Sequence, residues 1–166
     1  MCNIPDGLTD INRKLAEFCV QLSTNCLYNA ATLFVWVRIL QVVKVFFVVT
    51  PLVLGSLSAW AFLEKGGFEL VVAISAFLAG LLPSIYSSLK IDVNIDKSKS
   101  ALAEYKNLRD QFVLCAQVKS LLDPSSFDEY FQKNFERLEI VRKTGLAPPE
   151  WCYFLAARKI KNGDYS

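Results

Sequence analysis

Histidine is absent from this chain of 166 residues. Without it, Ser-His and Cys-His nucleophilic chemistry and most zinc sites are excluded. The five cysteines, Cys2, Cys19, Cys26, Cys115 and Cys152, are odd in number, widely spaced and form no CxxC pair. They read as reduced, structural thiols on apolar helix faces or at the N-terminus. No glycine-rich phosphate loop occurs, and Gly66-Gly67 reads as a turn. The net charge is only +2 and no polybasic run is present, so direct nucleic-acid binding is not expected. Met1 to Leu8 lack a basic stretch followed by an apolar core, so targeting rests on internal segments. There is no strand pattern beyond a few residues and no internal repeat.

What the chain has instead is apolar surface: 53% hydrophobic residues, with 12 Phe. The excess is concentrated between Leu33 and Leu89. The stretch Val45 to Leu63 carries no charge and is long enough to cross about 30 Å of hydrocarbon. Trp60 and Phe62 stand near its far end, where aromatics favour the interface. A short polar turn, Glu64-Lys65-Gly66-Gly67, leads to a second apolar stretch from Phe68 to about Tyr86, with Glu69 in its first turn. The tight connection predicts antiparallel neighbours. Arg38 and Lys44 precede the first span, and Lys90, Lys97 and Lys99 follow the second, which places both termini in the cytosol by the positive-inside rule.

The fold class expected is an all-α membrane protein. Residues 1–44 form an N-terminal amphipathic or interfacial region, 45–89 a transmembrane hairpin with spans at about 45–63 and 68–86, and 90–166 a cytosolic helical body. In the first region Asp6 is a cap, and Leu8, Ile11, Leu15, Phe18 and Leu22 follow at three- and four-residue steps. Such a helix wants a partner helix or a membrane surface. Phe18 to Val37 is free of charge but carries Gln21, Ser23, Thr24, Asn25, Asn29 and Thr32, which argue against a third span and for a helix lying on the interface or the protein body. In the last region, Ile91 to Leu122 repeats at helical spacing and Asp123-Pro124 stops it. Ser126 and Glu129 make a capping box for the next helix, and Gly145 ends that helix. Pro148-Pro149-Glu150 opens a final helix that Asn162-Gly163 closes.

Within the hairpin, Ala73, Ala76, Gly80, Ser84 and Ser87 recur along the second span, and Gly55, Ser58 and Ala59 cluster in the first. Small residues permit close approach of membrane helices. The stripe has two readings, packing of one span on the other and the lining of a narrow pathway between copies. Pro51 and Pro83 each remove a backbone hydrogen bond and are candidate hinges. Neither span holds an ionisable group at mid-membrane, which sets the chain apart from proton-driven machines and ion-coupled transporters. The turn is too short for a re-entrant filter loop.

The cytosolic carboxylates Glu104, Asp110, Asp128, Glu129, Glu136 and Glu139 alternate with Lys and Arg as a solvated helix face does. No catalytic, metal-ligating or cofactor-binding residues are expected, and the chain is read as a non-enzyme. Tyr105, Phe112, Trp151 and Phe154 are expected to be buried within a bundle or between copies, as a docking surface.

The order of parts, with Ala101-x-x-x-Tyr105-x-x-Leu108-Arg109, then Pro148-Pro149, Tyr153, Ala156-Ala157 and Arg158-Lys159-Ile160, resembles the SLATT family of bacterial two-transmembrane effector domains. Many members carry a His ahead of the Tyr-Leu-Arg segment, where this chain has Lys97 to Ser100. The resemblance implies a pore-forming effector of an anti-phage or other conflict system in the bacterial inner membrane. It would act as a homo-oligomer downstream of a nucleotidyltransferase, a SLOG-type sensor or a reverse transcriptase. A membrane anchor or scaffold for a partner enzyme, and a holin-like lysis protein, are the other classes compatible with a hairpin.

Overall fold

The structure is a computed structural model that describes residues 4, 5, 7–63 and 69–163, with backbone only for 61–63. The expected cap Asp6, the turn at 64–67, Phe68 and the side chain of Phe62 lie outside the described residues. All described secondary structure is helical: α1 (Asp10–Leu63), α2 (Glu69–Ser88), α3 (Ile91–Gln117), a 3-10 turn (Lys119–Leu121), α4 (Pro124–Thr144) and α5 (Glu150–Lys161).

The chain forms two compact units, one of Met1–Trp36 with Lys97–Ser166 and one of Val37–Asp96. The first part of α1, up to Trp36, thus belongs to one unit with the C-terminal helices. The reason lies in one face of α1. Ala16, Cys19, Leu22, Cys26, Ala30 and Leu33 are buried in a single cluster with Tyr105, Leu108, Phe112 and Cys115 of α3 and Phe127, Phe131 and Leu138 of α4. Small side chains on α1 let the bulky rings of the other helices come close, and the rings interlock: Phe131 lies 5.7 Å from Phe18, 6.4 Å from Phe112 and 5.6 Å from Phe135. Phe18 to Leu33 is thus part of the protein body. Its hydroxyls are satisfied locally, Ser23 and Thr24 donating to the Val20 carbonyl and Thr32 to that of Tyr28.

Two helix starts are capped by side chains, the one at α4 by a different residue from that expected. The Thr9 hydroxyl accepts from the Asn12 amide and so caps α1. At α4, Asp123 is the cap, accepting from the Ser126 amide at 3.0 Å, and Pro124 occupies the first turn. Asp123-Pro124 opens this helix instead of only closing the one before, because a proline at the first helical position loses no hydrogen bond and arrives with helical φ. Hydrogen bonds from the Ser125 hydroxyl and the Ser126 amide hold the Asp123 carboxyl down at about 2. The Ser126–Glu129 box is not the cap. Asn12, 4% exposed, donates from Nδ2 to the carbonyls of Ser120 at 2.9 Å and Leu122 at 3.0 Å, tying the start of α1 to the link between α3 and α4.

Gly145 ends α4 as expected, in extended conformation. A Cβ there would stand 2.9 Å from the Val141 carbonyl oxygen, so the close approach is what demands glycine. Cys19, Cys26, Cys115 and Cys152 are free and buried. Burial pushes the Cys26 thiol up to about 11, and a hydrogen bond to Cys115, then burial, raises Cys19, so both are poor nucleophiles at neutral pH.

Candidate functional site: the paired apolar helices

The second unit is built from the latter part of α1, all of α2 and the first residues of α3. On α2 the least exposed positions are Val72, Ser75, Ala79, Leu82 and Tyr86, spaced by three and four. On α1 they are Val43, Phe47, Thr50, Pro51, Leu54 and Ser58. These stripes meet. The Ser58 and Ser75 hydroxyls share a hydrogen bond, and the Phe47 and Tyr86 rings lie 6.1 Å apart. Lys44 Nζ stands 2.7 Å from Asp92 Oδ1. Numbers fall along one partner as they rise along the other, so the helices run antiparallel.

Both serines keep their backbone partners. Ser58 donates to the Leu54 carbonyl at 2.9 Å and Ser75 to that of Val71 at 2.7 Å. This is how a hydroxyl is accommodated where no water is available. The sequence stripes omitted Ser75, although it shares the face of Val72 and Ala79; only the partner helix distinguishes that face from the others.

At the other end of the pair is a polar clasp that the sequence did not reveal. The Asp92 carboxylate receives the Lys44 ammonium on one oxygen and the Tyr86 hydroxyl on the other, the latter at 2.6 Å. These two donors hold its carboxyl below the ordinary range, Lys44 contributing most, and Asp92 in turn raises Lys44. Beside the clasp, Lys90 joins α2 to α3 at φ 48, a conformation that costs a non-glycine residue free energy.

The small-residue stripe lies elsewhere. Ala73, Ala76, Gly80, Ser84 and Ser87 are exposed and share none of the face that α2 turns to α1. No atom stands within 4 Å of a Cβ built on Gly80 or on Gly55. Ala59 is exposed too, and of the three α1 candidates only Ser58 sits in the contact. On α2 this stripe faces away from α1. The large residues Leu70, Ile74, Phe77, Leu81 and Ile85 make a third face, also exposed. At about 3.6 residues per turn the three faces are each roughly a third of the way around α2 from the next. Pro51 lies within the α1 contact and Pro83 is exposed, and both helices continue through them.

Two helical segments, Asp10–Trp60 and Glu69–Leu121, are long and apolar enough to cross a membrane, each with a window of mean hydropathy 2.0. Only 11% and 6% of those windows are buried within the protein, which separates them from core helices of a water-soluble fold.

The four docking candidates fall into two groups. Phe112 is fully buried and Tyr105 nearly so, the latter beside a cleft of about 290 Å³ lined also by Asn29, Thr32 and Arg142. Trp151 and Phe154 are 48% and 69% exposed, so within the single chain they are not part of the core. The buried face of α5 consists of Cys152 and Ala156, because only short side chains fit where α5 meets the body. Among the described residues no group of three or more Cys, Asp or Glu is arranged to hold a metal ion. Comparison with protein families, with curated proteins and with solved structures finds no match for this chain.

Proposed function

We propose that this protein is a membrane effector: an inner-membrane, two-span hairpin with both termini in the cytosol that self-associates and permeabilises the bilayer when a partner sensor triggers it. The observation that carries the reading is the exposed small-residue face of α2, with Gly80 open and Ser84 and Ser87 beside it. A monomer has no use for such a face. Lipid contact is served by the Leu70–Phe77–Ile85 face and helix pairing by the Val72–Ser75–Tyr86 face. Small residues favour close contact with another protein helix, and hydroxyls are tolerated in a membrane where they line protein or water. The resemblance to SLATT effectors supports the same role in an anti-phage or related conflict system, downstream of a nucleotidyltransferase, a SLOG-type sensor or a reverse transcriptase.

The test is expression in bacteria loaded with a potential-sensitive dye, alone and with the neighbouring genes under phage challenge. Wild type should depolarise the cells when overproduced or triggered. Gly80→Leu should insert equally well and fail to depolarise. A wild-type protein that inserts but never changes the potential would sink the effector reading and leave a membrane anchor for a partner enzyme. Depolarisation timed to phage lysis, with lysis genes alongside, would make it holin-like.

A further inference from the structure

The face of α5 turned away from the body is the largest feature that the pairing of α1 and α2 leaves without a role. Trp151, Phe154 and Leu155 are exposed at 48%, 69% and 46%. One turn further on, the same face carries Arg158 and Lys161, in the basic last turn of the helix. The opposite face, with Cys152 and Ala156, is buried. The helix is thus amphipathic in an unusual sense: its outer surface is aromatic at one end and cationic at the other. Water is a poor neighbour for a Trp, a Phe and a Leu side by side.

Composition narrows the choice of occupant. The Trp151 ring meets that of Trp36 edge-on at 6.5 Å, and Tyr153 lies 6.0 Å from Tyr28. These ring contacts hold α5 on α1 within the first unit. Aromatic rings beside Lys and Arg are the composition of a helix that lies in the headgroup layer, the rings reaching the acyl boundary and the cations meeting lipid phosphates.

We propose that α5 is an interfacial helix that binds anionic phospholipid through Trp151, Phe154, Leu155, Arg158 and Lys161. The inference rests on the membrane reading above.

The experiment uses the full chain reconstituted into phosphatidylcholine vesicles, with and without phosphatidylglycerol and with brominated acyl chains. In the variant Trp36→Phe, Trp60→Phe, the remaining Trp151 reports on α5. In Trp36→Phe, Trp151→Phe, the remaining Trp60 reports on the apolar stretch. With phosphatidylglycerol present, Trp151 should be quenched by brominated lipid and shielded from acrylamide. Arg158→Gln with Lys161→Gln should weaken this by roughly an order of magnitude. Phe154→Cys carrying an environment-sensitive fluorophore reads the same face with every tryptophan in place, and circular dichroism checks that each variant is folded. If Trp60 is quenched by lipid while Trp151 is quenched only by acrylamide, the α5 proposal fails and the membrane reading stands. Shielding of Trp151 from both quenchers means that protein covers the face, which also overturns it. Equal quenching without phosphatidylglycerol removes the anionic lipid. If Trp60 is untouched by brominated lipid, the membrane reading fails and takes the proposal with it.

Discussion

Asn12 shows how one polar side chain holds a junction that no hydrophobic pattern predicts. It is buried, and its amide closes the carbonyls of Ser120 and Leu122 at the end of the 3-10 turn. Removing a buried donor strands both acceptors. Asn12→Ala should therefore lower stability by about 1–3 kcal/mol, measured by thermal unfolding in detergent; an unchanged midpoint would mean that water replaces the amide at no cost. The ring core allows a sharper contrast. Phe112 is fully buried, so Phe112→Ala should cost about 3–5 kcal/mol, whereas Phe154→Ala, on an exposed ring, should barely move the midpoint in detergent. Equal losses would contradict the burial pattern. The Asp92 clasp is testable by pH. Its carboxyl is held below the usual value near 3.9, so its contribution to stability is present above that value and is lost as pH falls through the lower folded one. Asp92→Asn should destabilise the pair at neutral pH and reduce the further loss seen on acidification below about pH 4. A mutant whose acid sensitivity equals that of wild type would show that the clasp does not titrate with folding.

At the scale of the elements, α2 has three faces with three chemistries. The contact face is identified by Ser75, whose hydroxyl meets Ser58. The small-residue face is open. Ser75→Leu should accordingly break the antiparallel pairing, read as loss of a disulfide crosslink between Cys substitutions at Phe47 and Tyr86. Gly80→Leu should leave that crosslink intact and abolish crosslinking between copies at Ser84→Cys. The reverse assignment of effects would exchange the roles of the two faces. Sequence spacing had joined these roles, since alanine, glycine and serine satisfy the same rule whether a helix packs on its neighbour in the chain or on another copy.

For the whole molecule, the decisive arrangement is that α1 serves both units, its first part enclosed among α3 and α4 and its later part paired with α2. Orientation across a membrane is the property of the whole molecule on which the effector proposal depends. With native thiols replaced, a Cys at Gly66 should react with an impermeant reagent in intact spheroplasts, and one at Lys97 only after lysis. The opposite pattern would place the first unit outside the cytosol and remove the trigger mechanism.

Helix content, the stretches too apolar for water, and the stops at Gly145 and Asn162-Gly163 were all written in local chemistry, and the sequence alone determined them. Runs of uncharged residues, prolines and glycines act through the backbone and solvent next to them, with no need of a distant partner. Tertiary structure decided everything that depended on which faces meet. It drew Phe18 to Leu33 into the protein body, because Cys19, Cys26 and Ala30 are small enough to admit the rings of α3 and α4. It exposed Trp151 and Phe154, because Cys152 and Ala156 took the inner side of α5. It separated Ser75 from Gly80, which differ only in angle around one helix. An amphipathic pattern states that a face will be covered; the identity of the cover is a property of the other surface, and that surface is set by the rest of the fold.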